Sequence, residues 1–234
     1  MDSGAILRAM ARAVKRKRPY NVSLRQEQAQ ITRQRILDAT RQLMATGTYS
    51  TVTMEEIAKN AGVAYQTVYA IFGTKLQLAK DMIQAGFHFD EMPELVARAN
   101  AAADPEAAIR IGAQISRLIH ETCADLVRFM RESGDAELLT RYHQNEELRL
   151  TQEAHIPALL RASGSVRPAL SDAEVLSVLW AMTGTDFYAL LVFQRGWTPS
   201  QYEEWLGSAL ISLLLEPAER AKASFPSRSS PQNV

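Results

Sequence analysis

The chain has 234 residues, 47% of them hydrophobic, with 26 basic and 26 acidic side chains and one cysteine. That length holds one large or two modest domains with a substantial core, and the lone Cys123 excludes an internal disulfide framework and fits a reduced, cytoplasmic setting. The net charge of zero would argue against nucleic acid, but residues 1–90 hold 13 Lys and Arg against 7 Asp and Glu, while residues 91–234 hold 13 against 19, so a front of +6 joins a back of −6.

In chain order, residues 1–22 read as a flexible basic arm. It carries Arg8, Arg12, Lys15, Arg16, Lys17 and Arg18 ahead of Pro19. Such a run attracts phosphates without reading bases. Arg8 and Arg12 also break up its apolar residues, which argues against a secretory signal. Ser23 with Gln26 offers a capping box for a first long helix. Ile36, Leu37, Thr40, Leu43 and Met44 keep helical spacing along it, and Gly47 ends it.

Residues 53–78 read TMEEIAKNAGVAYQTVYAIFGTKLQL. Thr53 with Glu56 is a capping box, Ile57 and Ala58 face inward, and Gly62 supplies a turn that needs positive φ. Val63, Val68 and Phe72 give the next short helix its buried stripe. Tyr65, Gln66 and Tyr69 are left on its outer side, with Thr67 at the margin. Hydrogen-bonding groups on a helix too short to stand alone, propped from behind and offered outward, are what a recognition helix in the major groove requires. Lys75 opens the following helix, where a cation can meet a phosphate. The helix-turn-helix domain is therefore placed at 23–73 and a linking helix at 74–90.

The remainder, 91–216, reads as helices with no strand pattern. Asp104-Pro105 starts one that Gly134 ends; another covers 136–162, bent before Pro157. Ser171 and Glu174 box the start of a helix reaching Arg195, and Thr198-Pro199 starts the last. The apolar stretch from Val175 to Phe193 nears membrane-spanning length, yet Asp186 stands inside it, so a buried helix and no membrane partner is the reading. From Pro217 the chain turns to Ser, Pro and Arg and reads as a disordered tail, 217–234. The fold class is all-α: an N-terminal three-helix helix-turn-helix DNA-binding domain and a C-terminal helical domain.

The stretch from Thr32 to Leu78 resembles the N-terminal domain of the TetR family of bacterial regulators. Thr67, Tyr69, Phe72, Lys75 and Leu78 fit that family's Thr-x-Tyr-x-x-Phe-x-x-Lys-x-x-Leu signature after an Ala-Gly-Val turn. The resemblance implies phosphate contacts at Thr67, Tyr69 and Lys75 and base readers at Tyr65 and Gln66; Thr53 completes the DNA-binding set. Ala64 and Ile71 depart from the family's frequent Ser or Thr and His. Ala64 cannot cap its helix through a side chain, a loss of about 1 kcal/mol.

The resemblance also implies a homodimer joined by the last two helices. Small residues Ala181 and Gly184 allow close approach there, and Leu206, Leu210, Leu213 and Leu214 form a broad apolar face. It implies, further, a pocket for a small apolar or aromatic ligand, for which Phe87, Leu118, Phe129, Met130, Trp180, Thr183 and Phe187 are the candidate lining. There is no phosphate-cradling glycine loop, CxxC or HExxH pattern, and His120 with Cys123 has no further ligand nearby. No catalytic residue, cofactor or metal is therefore assigned. The leading reading is a repressor released from a palindromic operator by a small molecule. An inducer-independent DNA-binding regulator, and an all-helical metabolite-binding protein or enzyme with a vestigial DNA domain, remain alternatives at this point.

Overall fold

A computed structural model describes residues 22–87 and 92–217; the predicted arm and tail lie almost wholly outside them. The first helix, α1, runs Val22–Thr46. Ser23 falls inside its range. Then come α2 (Met54–Ala61), α3 (Tyr65–Phe72) and α4 (Lys75–Gly86). The capping box that opens α2 is formed: Thr53 Oγ1 accepts from the Glu56 N–H at 3.2 Å, and the Thr53 N–H donates to Glu56 Oε2 at 2.9 Å. Gly62 closes α2 at φ 64, the left-handed conformation that glycine adopts without a Cβ clash.

Beyond these lie α5 (Met92–Ala101), α6 (Pro105–Glu132), α7 (Ala136–Glu153), α8 (Ile156–Ala162), α9 (Asp172–Met182), α10 (Thr185–Tyr188), a π-helical turn at Ala189–Gln194, and α11 (Pro199–Leu214). Asp104 and Asp135 cap α6 and α7, and the boxes at Ser171/Glu174 and Thr198/Gln201 open α9 and α11. The bend expected before Pro157 is a full break, with Pro157 in the first turn of α8, where its missing N–H is harmless. The helix expected from Ser171 to Arg195 is also not continuous. Gly184 is extended (φ −69, ψ 159), which ends α9 and restarts the chain in α10. An isolated antiparallel bridge joins Val166 to Leu215.

Two apolar cores share one long helix. The first gathers Ile36 and Leu37 of α1, Ile57 of α2, Val68 and Phe72 of α3, and Leu78, Met82 and Ile83 of α4 around Cys123, Leu126, Phe129 and Met130 from the second half of α6. The second gathers Ile109 and Ala113 from the first half of α6 with Val175, Leu179, Tyr188, Tyr202, Leu206, Leu210 and Leu214. At 1.5 Å per residue, the 28 residues of α6 make a rod about 42 Å long that belongs to both. The first core runs from α1 past α4 and on to Leu138.

Candidate nucleic-acid interface

The eight residues of α3 divide cleanly between inside and outside. Val68 is fully buried and Phe72 nearly so, whereas Tyr65 and Tyr69 are 40% and 59% exposed. Gln66 is also exposed and Thr67 half-buried. The Tyr65 and Tyr69 rings stack with centroids 6.4 Å apart, as residues one helical turn apart allow. Ala64 begins the helix in an extended conformation and makes no side-chain cap, so the start of α3 lacks a contact most helices have. Ile71, marked in the sequence only as a departure from the family's frequent His, is 39% exposed, and its place as an apolar group on the open side of α3 was not read from the sequence.

The back of α3 is fixed by cations of α1, which the sequence reading also passed over. Arg33 lies 5.3 Å over the Phe72 ring and pairs with Asp81 of α4 at 2.6 Å. Arg35 Nη2 donates to the Ala61 carbonyl at 2.5 Å, holding the turn between α2 and α3. The signal for both was basic residues on α1 in phase with its buried stripe.

The structure gives Lys75 and Thr53 internal partners. Lys75 Nζ donates to the carbonyls of Tyr49 and Val52 at 2.7 and 3.0 Å and lies 4.6 Å over the Tyr49 ring. The lysine expected to meet a phosphate thus ties down the loop before α2. The Thr53 hydroxyl is engaged with Glu56, and the Thr53 N–H together with that hydroxyl, both donating to Glu56 Oε2, holds the Glu56 carboxyl below its ordinary range. Thr74 caps α4, accepting from the Gln77 N–H at 3.0 Å.

In the C-terminal half the two residue sets proposed from sequence are not assembled as expected. Of the candidate pocket residues, Phe129 and Met130 are packed in the first core and Phe87 leans on it. Phe187 packs on the second core with its ring 5.6 Å from Trp205, while Trp180 is 37% exposed and Leu118 half-buried in neither core. The seven are not gathered on one core, because the two ends of α6 serve different cores. Of the candidate dimer residues, Leu206, Leu210 and Leu214 are buried within the protomer at 0%, 2% and 0% exposure. They form the stripe of α11 that faces the second core, so a partner subunit cannot reach them. Leu213 (48% exposed), Ala181 and the half-buried Gly184 stay at the surface.

A cavity of about 70 Å³ lies where α1 meets α6, lined in part by Met44, Tyr49, Asp125, Arg128 and Phe129. A shallower concavity of about 270 Å³ runs along α11 beside Trp197, Glu204 and Trp205. Among the described residues no group of three or more His, Cys, Asp or Glu side chains could hold a metal ion.

Residues 36–82 match the model of the bacterial regulatory proteins of the tetR family. The HTH-type transcriptional regulator AlkX of Mycobacterium tuberculosis is 28% identical over 149 residues, 62% of this chain and 64% of that regulator. The match thus spans less than two thirds of AlkX. Among solved structures, NalD, the secondary repressor of the MexAB-OprM multidrug efflux pump in Pseudomonas aeruginosa, is similar with a TM-score of 0.60 at 20% identity, over 81% of this chain and 98% of NalD. A TetR-like transcriptional regulator from a Rhodococcus species is similar with a TM-score of 0.58 at 16% identity, over 83% and 97%. At these identities the structural likenesses establish the fold.

Proposed function

We propose that this chain, a member of the tetR family of bacterial regulatory proteins, is a sequence-specific DNA-binding transcriptional repressor of the cytoplasm. One observation carries the reading: α3 buries Val68 and Phe72 and turns Tyr65, Gln66 and Tyr69 outward on a helix held rigidly from behind. In this reading Tyr65 and Gln66 read base edges, and Tyr69 and Thr67 meet phosphates. Lys75 and Thr53 act as positioning residues that set the height of α2 and α3 above the duplex.

Two copies related by a two-fold axis present two such helices to a palindromic operator, about one helical turn apart. The exposed apolar groups of the last helices, Trp180, Leu190, Phe193 and Leu213, supply the joining face. Release follows when a small molecule binds better to a conformation in which the two α3 helices are wrongly spaced. The long α6, packed into both cores, supports a mechanical route between a ligand in the second and DNA at the first.

The test is selection of duplexes from random DNA with the purified full chain. A palindromic consensus is expected. Tyr65→Ala or Gln66→Ala should then relax preference at particular positions, whereas Tyr69→Phe should weaken all duplexes alike. A chain that retains no duplex in dilute salt would sink the reading.

A further inference from the structure

Three buried side-chain atoms among the described residues have no hydrogen-bond partner, Arg141 Nε, His120 Nδ1 and Glu153 Oε2, and the last two belong to side chains that touch Thr183. His120, on α6, is 5% exposed. Its Nε2 lies 2.9 Å from the Thr183 carbonyl. A carbonyl only accepts, so Nε2 carries the hydrogen and Nδ1 is a bare acceptor with nothing to accept from. Burial holds the imidazole's pKa down to about 4, which keeps it in this neutral form near neutral pH. Glu153, at the end of α7, has one oxygen 3.2 Å from Thr183 Oγ1 and 3.3 Å from Arg149 Nη1. Its other oxygen is buried and unpartnered, and desolvation pushes the carboxyl's pKa up.

The charge around this point does not balance. Arg149 pairs with Glu146 at 2.7 Å as well as with Glu153, so two carboxylates share one guanidinium. Aromatic rings adjoin it: those of the buried Tyr188 and Tyr202 are 5.1 and 6.1 Å from His120, and the partly exposed Trp180 lies under Arg149 at 5.1 Å. The backbone is irregular here too. The helix stops at Met182, restarts at Thr185 and passes into a π-helical turn, a feature found mostly where a fold makes room for function.

Two unmet acceptors call for hydrogen-bond donors, and the excess of carboxylate calls for positive charge. A carboxylate or phosphate ligand would set acceptor against acceptor. We propose that the surroundings of Thr183 form an effector site for an organic amine, whose ammonium N–H donates to Glu153 or His120 and whose apolar body rests on the adjoining aromatic rings. The assignment rests on the reading of the chain as a ligand-responsive regulator and supplies the chemical class of its ligand. It also replaces the lining suggested by the sequence, of which it keeps Thr183 and Trp180.

The experiment is calorimetric titration of the full chain with n-hexylamine, 2-phenylethylamine, 2-phenylethanol, phenylacetate and trimethyl(2-phenylethyl)ammonium, alongside duplex binding in the same samples. At least one of the two primary amines should bind at least about tenfold tighter than the alcohol and than the quaternary ion, which has charge but no N–H donor; phenylacetate should not bind. His120→Gln, which can keep a donor for the Thr183 carbonyl but moves its acceptor away from the position of Nδ1, and Glu153→Gln should each weaken amine binding at least about tenfold. Thermal melting identifies a variant that fails to fold, and the other then decides. Equal binding of amine and alcohol, or no loss in a folded variant, overturns the proposal. Duplex binding with neither amine bound overturns this site and leaves the regulator reading standing; amine binding by a chain that retains no duplex does the reverse.

Discussion

The ammonium of Lys75 has three N–H donors, and two contacts direct it into the protein, at the carbonyls of Tyr49 and Val52. Charged donors on neutral acceptors are worth more than neutral pairs, so Lys75→Ala should lower stability by about 1–2 kcal/mol, read as a fall in melting temperature. Duplex affinity should also fall, because α2 loses the fixed loop before it, but the dependence of affinity on salt should hardly move. Loss of a phosphate contact would instead flatten that dependence by about 0.9 in log–log slope, returning Lys75 to the duplex. His120 gives a second residue-level expectation. Its folded pKa of about 4 lies below the ordinary value of 6.5, so between these pH values the unfolded chain binds the extra proton. The stability it contributes is complete above pH 6.5 and declines as pH falls toward 4, by up to about 3 kcal/mol. The raised pKa of Glu153 opposes this, since an unfolded chain sheds that proton more readily. Denaturant melts of the protein and of His120→Gln, compared from pH 7.5 to 4.5, should converge toward acid. Parallel curves would refute the buried neutral ring. Cys123 is inert by the same physics: burial raises its thiol to about 12, so a thiol reagent should label it only when the chain unfolds.

Among the elements, α6 decides how the proposed DNA-reading helices are connected to the rest. Arg41 of α1 grips it through Asp125, Nε to Oδ2 and Nη2 to Oδ1 at 2.7 Å each, and through the Thr122 carbonyl at 2.5 Å. At the end of α4, Gly86 allows closest approach: a Cβ there would stand 2.2 Å from Leu126 Cδ1. Because Leu126 is 1% exposed, Gly86→Ala should cost about 1–3 kcal/mol by overpacking. Adding Leu126→Val should recover part of that loss, and strictly additive effects in urea melts would refute the contact. The sequence announced the start of most of these elements, because caps are local: Thr53 with Glu56, Ser171 with Glu174, Thr198 before Pro199, and Asp104 before Pro105 are each complete within four residues. It announced the two sides of α3 for the same reason, since Val68 and Phe72 are one turn apart. It did not announce that Lys75 turns inward or that α6 joins two cores. Those outcomes depend on partners 23 to 84 residues distant, for which helical periodicity carries no signal. The break at Gly184 was hidden in a similar way, because apolar segments continue on both sides of Thr183 to Asp186 while the Thr183 carbonyl finds its partner on α6.

At the scale of the whole molecule, an apolar face on α11 can serve either the protomer or its partner, and the stripe of Leu206, Leu210 and Leu214 serves the protomer. What remains exposed is different in kind: Leu213, Leu190, Phe193 and Trp180, each between 37% and 49% open, lie on segments adjacent in the chain and packed on the same core. If two copies meet there, the two sets should respond oppositely to substitution. Leu206→Ala removes a fully buried side chain and should cost about 2–5 kcal/mol of folding stability, whatever the protein concentration. Leu213→Glu puts a carboxylate where the proposed partner would cover it, so it should leave the melting of dilute protein nearly unchanged while shifting sedimentation toward a single chain. Affinity for a palindromic duplex should fall with it, because two linked modules gain their strength from simultaneous engagement, whereas affinity for a half-site should not change. A Leu213→Glu chain that sediments as a dimer and holds the palindrome as tightly as before would place the joining face elsewhere. The charge asymmetry bears on the same geometry. With +6 on residues 1–90 and −6 beyond, a two-fold pair joined through its acidic halves turns both basic ends toward the same duplex, and the half that repels phosphate is held away from it.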